Sequence, residues 1–245
     1  MIETLKRIAM SILAIARFYS AWFFKSRLWI INQLVIPVSM YIVFLLVIGK
    51  GFEVNALIGG LITLAWNAGS NALSQQLFAY RFYYRILDMF IASPVTSTRF
   101  IAGVSIGALL NALLPSIPIL ALLATYIGIN MVLLIPLFLL AWLLGSIVGF
   151  FMANTVKDPA RFSALANLLY YLLTIIPPVY YPANVIPGIG YHISLLIPTA
   201  TLAELARMVL ALTSATTLWY VVAVILVYMA VFLLLAVRYA EWREH

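Results

Sequence analysis

The chain of 245 residues contains no cysteine. That excludes a disulfide framework, thiolate metal sites and a cysteine nucleophile. Histidine occurs only as His192 and His245, too few and too far apart for a metal centre. Charge is scarce too, at 9% of residues, where a soluble domain carries about 25%. The seven acids (Glu3, Glu53, Asp88, Asp158, Glu204, Glu241 and Glu244) fall outside the long apolar runs. No glycine-rich phosphate loop, H-E-x-x-H or G-x-S-x-G occurs. An intramembrane protease or transferase needs its acid, base or metal ligands gathered at one site, and none cluster here. A proton- or sodium-coupled carrier usually holds an ionisable group at mid-membrane, and these runs have none. Any energy source must enter from outside the chain.

What the chain has in abundance is apolar surface, 66% of its residues. No soluble core hides that much, so lipid is the solvent for most of it. A spanning helix needs about 20 apolar residues. Six such runs stand out: Leu28–Gly49, Val54–Ala79, Phe100–Gly128, Met131–Val156, Phe162–Tyr180 and Thr217–Val237. They are too long and too evenly apolar for the alternating strands of a barrel. The expected fold is an all-α membrane protein, one transmembrane domain over residues 1–245. It has six transmembrane helices, an amino-terminal amphipathic interfacial helix over 1–27, and short outer re-entrant helices before the last span.

Twelve of the fourteen Lys and Arg residues fall on one side of this topology, and only Lys50 and Arg207 on the other. The positive-inside rule then puts both termini in the cytoplasm. Topogenesis accounts for the net charge of +7, so nucleic acid is not an expected partner; the lipid bilayer is. In residues 1–27, Leu5, Ile8, Ile12, Ile15, Tyr19, Trp22 and Phe23 share one face. Lys6, Arg7, Arg17 and Lys25 take the other, the pattern of a helix in the headgroup plane. A bend is expected near Ser26.

The second span carries Trp66, Asn67, Ser70, Asn71, Ser74 and Gln75. Asn67, Asn71, Ser74 and Gln75 have i, i+4, i+7, i+8 spacing, a single helical face. The fifth span repeats the device with Asn167, Tyr170, Tyr171 and Thr174. Amides in hydrocarbon need partners, so each stripe should face protein or water. Hydrogen bonding that merely holds helices together is one reading, a substrate path the other. Gly103/Gly107 and Gly145/Gly149 give spacing for close helix contact, and Pro115 and Pro118 should kink the third span. Beyond Ile176 the chain is broken by Pro177, Pro178, Pro182, Pro187 and Pro198 into pieces too short to span. Residues 181–212 are expected to form an outer re-entrant segment, in which Glu204 and Arg207 can pair on a helix.

Residues 80–95 form a charged island between two apolar runs. At about 100° per residue, Arg81, Tyr84, Arg85 and Asp88 fall on one side. Phe82, Tyr83, Ile86, Leu87, Met89 and Phe90 cover the other. Pro94 disfavours helix at Ser93, so the segment should end there. A two-turn amphipathic helix at the water boundary suits docking onto a soluble partner.

Over essentially its full length the chain resembles the permease subunits of type-2 (ABC-2) ATP-binding-cassette exporters. The resemblance lies in the amphipathic first helix with six spans, in Leu87-Asp88-Met89-Phe90-Ile91-Ala92-Ser93-Pro94-Val95, and in the outer Tyr181-Pro182, Pro187 and Pro198…Glu204…Arg207 pattern. The family often carries a glycine a few residues before the acidic position, where this chain has Tyr84-Arg85-Ile86. The resemblance implies that Arg81–Phe90 is a coupling helix seated on a separate ABC ATPase subunit. ATP and Mg would be bound there; no cofactor is expected on this chain. It also implies a second permease copy or paralogue, with spans one, two and five around a two-fold axis, in a prokaryotic plasma membrane. Trp66, Asn67, Asn71, Ser74, Gln75, Asn167, Tyr170, Tyr171 and Thr174 are then the candidate substrate path. Pro182, Pro187, Pro198, Glu204 and Arg207 are the candidate outer gate. With no charge along the path, the expected cargo is hydrophobic or amphipathic, drug-like or lipid, with a lipid-linked polysaccharide second. An ATP-independent channel and a membrane scaffold are the rivals from other classes.

Overall fold

The computed structural model describes residues 2–25, 27–48, 51–93 and 95–238; Ser26, Lys50 and Pro94, each singled out above, lie outside the described residues. Among the described residues the secondary structure is helical, with no strand. Three stretches of the described residues are long and apolar enough to cross a membrane: Leu28–Val47, Ser97–Thr155 and Ala215–Leu234.

Helix α1 (Ile2–Lys25) has the expected amphipathic pattern. Ile15, Tyr19 and Phe23 are buried, whereas Lys6, Arg7, Arg17 and Lys25 are exposed. The buried face is covered by protein: it packs on α6 (Ser97–Ile127). Gly103 and Gly107 permit the approach, since a Cβ at Gly103 would lie 2.6 Å from Ile15 Cβ and one at Gly107 2.8 Å from Tyr19 Cβ. Helix α6 stays helical through Pro115 and Pro118.

Helix α2 (Arg27–Val43) runs on into a wide turn at Phe44–Ile48. The next helical stretch occupies the centre of the fold. It comprises α3 (Glu53–Asn67), a wide i→i+5 turn at Ala68–Ala72, α4 (Leu73–Phe78) and a second wide turn at Ala79–Tyr83. Nearly every side chain from Glu53 to Ser70 is buried, because α2, α6 and α7 (Ile135–Thr155) surround it. Gly145 and Gly149 meet the wide turn at Gly69 and Ser70, so this pair does make the expected close contact. The chain reverses between α6 and α7 at Gly128 (φ +57°) and the tight helical turn Gly128–Leu134. Trp142 Nε1 donates to Ser105 O at 3.0 Å across that hairpin. Trp142→Phe keeps the aromatic packing and loses the bond. An equilibrium unfolding titration in mixed micelles should register a loss of about 1 kcal/mol.

Helix α5 (Ile86–Ala92) comes after the second wide turn. Helix α8 (Pro159–Thr174) is capped by Asp158, whose Oδ1 accepts from Ala160 N at 3.0 Å. The apolar run suggests a helix as far as Tyr180, but α8 stops at Thr174. Pro177 and Pro178 lie just beyond, and the residue before a proline is pushed out of the helical region. Short helices α9 (Ile189–Ser194) and α10 (Pro198–Val209) then precede α11 (Leu218–Arg238). Two tyrosines of α11 hold α9 and the turn after it: Tyr220 Oη donates to His192 O and Tyr228 Oη to Leu196 O.

Candidate functional site

A cavity of about 850 Å³ lies where α1, α2, the α3–α4 stretch and α8 meet. Of the nine candidate path residues, six line it: Asn67, Asn71, Gln75, Asn167, Tyr170 and Tyr171. The amides are bonded across three helices. Asn67 Nδ2 donates to Gln33 Oε1 at 2.7 Å, joining α3 to α2. Gln75 Nε2 donates to Asn71 Oδ1 at 2.9 Å and to Asn167 Oδ1 at 3.3 Å, and Asn71 Nδ2 reaches the same Asn167 oxygen at 3.3 Å. Asn67 Oδ1 is buried with no protein partner.

Trp66, Ser74 and Thr174 do not line the cavity. All three are fully buried, and the Ser74 and Thr174 hydroxyls are spent on their own helices, at Asn71 O and Tyr170 O. The reason for Ser74 is the backbone. A wide turn takes more residues per revolution than an α-helix. Residues four apart come closer into line, and the residue seven on rotates out. Asn67, Asn71, Gln75, Ala79 and Tyr83 therefore form one row along the cavity, and Ala72, Gln76, Tyr80 and Tyr84 the row beside it. Both rows have a period of four. The 3.6-residue template recovers Asn67, Asn71 and Gln75 and misses the rest; a period-four scan of this stretch carries the signal.

The α2 contribution, Trp29, Asn32, Gln33 and Ile36, is a set that the polar-stripe pattern does not pick out. Two amides in an apolar run of twenty residues make no stripe on their own. Their i, i+3, i+4, i+7 spacing with Trp29 and Ile36 is the available signal.

The charged island is not one helix. The wide turn ends at Tyr83, Arg85 takes a left-handed conformation (φ +51°), and α5 starts afresh at Ile86. The break shifts the phase of α5 relative to the preceding turn. Tyr83 and Met89, assigned to the apolar face, are 64% and 71% exposed. Tyr84, Arg85 and Asp88 are exposed as expected; Arg81 is half-buried with its guanidinium 5.4 Å from the Phe82 ring centroid. Ile86, Leu87 and Phe90 anchor α5 on α1 and α6, with Phe90 4.9 Å from Phe100 between ring centroids. Helix α5 ends at Ala92, and Ser93 is extended (ψ 166°) with its hydroxyl on Phe90 O at 2.7 Å. Pro94 lies outside the described residues.

At the other end of α3, Glu204 and Arg207 of α10 are both buried and 3.2 Å apart. Arg207 also donates from Nε to Asn55 Oδ1 at 2.9 Å, and to the carbonyls of Pro178 and Val179 at 3.2 and 2.5 Å. Glu204 Oε2 accepts from Ala183 N at 3.4 Å. Burial pulls the guanidinium down to about 10, against the opposing pull of Glu204, so it stays charged at neutral pH. The cluster pins the loop after α8 onto α3, where Gly59 lets the backbone lie close. A Cβ there would be 2.5 Å from Val179 O. Pro182 and Pro187 sit in that loop, half-buried and exposed, and Pro198 is buried at the start of α10.

Among the described residues no three His, Cys, Asp or Glu side chains come together as a metal site. No protein-family model matches the chain, and no curated protein matches it.

Proposed function

We propose that this chain is the permease half of an ATP-driven exporter, with six membrane spans and both termini in the cytoplasm. It carries a hydrophobic or amphipathic molecule outward, powered by a separate ABC-type ATPase subunit that holds Mg-ATP. The observation that supports this reading most is the meeting of α2, α3–α4 and α8 around one amide- and aromatic-lined cavity. These are the helices that correspond to spans one, two and five, which the family resemblance places about the two-fold axis. One chain supplies one side of such a path, and a second copy or paralogue completes it.

The exposed Tyr83–Met89 corner supports the docking role, since Tyr84, Arg85, Asp88 and Met89 offer charge and apolar surface together. ATP closure of two ATPase subunits shifts the permease between states only through its differential affinity for them. Only Arg85 stands between the cavity-lining row that ends at Tyr84 and α5, whose first residue, Ile86, itself lines the cavity. A displacement of α5 is therefore delivered directly to Tyr80, Tyr83 and Tyr84. On this reading the outer segment with Pro182, Pro187 and Pro198, locked by Glu204 and Arg207, closes the far end.

Arg81→Glu combined with Arg85→Glu should abolish copurification of the ATPase subunit from mild detergent and reduce substrate-stimulated hydrolysis at least tenfold. A double variant that retains both would remove Arg81–Asp88 from the interface. Transport by the chain with no nucleotide-hydrolysing subunit present would overturn the exporter reading itself.

A further inference from the structure

We infer that the cavity is a binding site for an uncharged polyhydroxyl group, a hexopyranosyl ring presented by a free glycan or by a glycolipid headgroup. The biological setting of such a site rests on the exporter reading; its chemistry rests on the composition of the cavity wall. Among the described residues nineteen line it, and none of these is Asp, Glu, Lys, Arg or His. A charged ligand would lose its hydration there and gain no counter-charge.

Seven of the nineteen are amides: Asn32, Gln33, Asn67, Asn71, Gln75, Gln76 and Asn167. The whole chain has nine asparagines and three glutamines, so one cavity collects more than half of them and every glutamine. An amide offers donors and acceptors together, as a hydroxyl does. Asn67 Oδ1 is buried without a protein partner, so the members of this amide cluster do not fully satisfy one another. A purely aliphatic ligand would leave the donors and acceptors that these amides do not spend on one another away from water, at about 1–3 kcal/mol for each such group.

Eight more lining residues are aromatic, with Trp29, Tyr170 and Tyr171 alongside the amides. The C–H face of a pyranose ring is weakly positive and matches the negative face of an aromatic quadrupole. Aromatics alone would equally suit a quaternary ammonium ion; the amides would then go unused. Hydroxyl-bearing and C–H-bearing surface on one small ring satisfies both halves of the wall. The volume lies within the roughly 300–1,000 Å³ of small-molecule sites.

The test uses the full chain in phosphatidylcholine nanodiscs, with no maltoside or glucoside detergent, whose headgroups would fill the site. Calorimetry titrates maltose and, separately, choline chloride. Native mass spectrometry counts lipid retained from nanodiscs doped with glucosyl diacylglycerol or with phosphatidylglycerol. Saturable binding of maltose identifies a free glycan; retention of the glycolipid alone identifies a headgroup. Either supports the site.

Equal retention of phosphatidylglycerol, saturation by choline, or no glycosyl ligand bound would each overturn it. Asn71→Leu and Asn167→Leu should weaken binding about tenfold each. Because those amides also join helices, Tyr171 supplies the second arm. Its ring is half-exposed, so Tyr171→Ala should weaken binding several-fold without unfolding, and Tyr171→Phe should restore it. Binding indifferent to both sets would also overturn the site. No ATPase is present in these titrations, so loss of the exporter reading would leave their result intact.

Discussion

Arg207→Met is expected to destabilise the protein by about 3–5 kcal/mol, the usual cost of breaking a buried ion pair by removing one partner. The side chain is fully buried and bonded to Glu204, to Asn55 and to two backbone carbonyls of the loop after α8. Its loss leaves Glu204 as an uncompensated charge and orphans three further acceptors. Adding Glu204→Leu should recover only part of the loss. It removes the stranded carboxylate but not the unpaired Asn55, Pro178 and Val179 oxygens. Unfolding titrations of the two variants side by side decide this. A loss below about 1 kcal/mol for Arg207→Met, the scale of a single ordinary hydrogen bond, would mean that the cluster does not hold the outer segment. Limited proteolysis should cut that loop, near Asn184, faster in the single variant.

Gly69→Val should cost about 3 kcal/mol, the upper part of the range for overpacking a tight contact. A Cβ on Gly69 would stand 2.5 Å from Ser146 N and 2.5 Å from Trp142 O. Both are backbone atoms of α7, which cannot turn aside as a side chain can. The helices must separate, and the wide turn at Ala68–Ala72 that aligns the cavity rows loses its support. The variant should therefore lose both thermal stability in detergent and glycosyl binding in the nanodisc titration. Gly190→Ala is the control. Its Cβ would meet only one side-chain atom, the Ile186 Cγ2 methyl at 2.8 Å, on a short loop and not on a packed helix backbone, so the cost should be clearly smaller than for Gly69→Val.

The helical runs, the amphipathic first helix and both small-residue contacts are legible in the chain. Each depends on short-range pattern, which composition and spacing record. Glu204 and Arg207 are legible as a pair for the same reason, being three apart on a helix. Their other partners are not: Asn55 lies 152 residues from Arg207, and the receiving carbonyls belong to irregular backbone that no side-chain pattern encodes. The phase of the Tyr80–Phe90 segment differs from a continuous helix because one left-handed residue, Arg85, restarts it.

Sequence alone determined that this chain is helical, with stretches long and apolar enough to cross a membrane, because backbone groups in an apolar surround must pair within their own segment. It also put Asn71, Gln75 and Asn167 forward as a polar feature. The tertiary structure decided which side chains share the cavity. A helix turns by i→i+4 or i→i+5 bonding according to what is packed against it. Here the close seating of Gly69 on Gly145 and Gly149 accompanies the wider turn. The period of four along Asn67–Tyr84 therefore belongs to the packed bundle and not to any local preference of its residues.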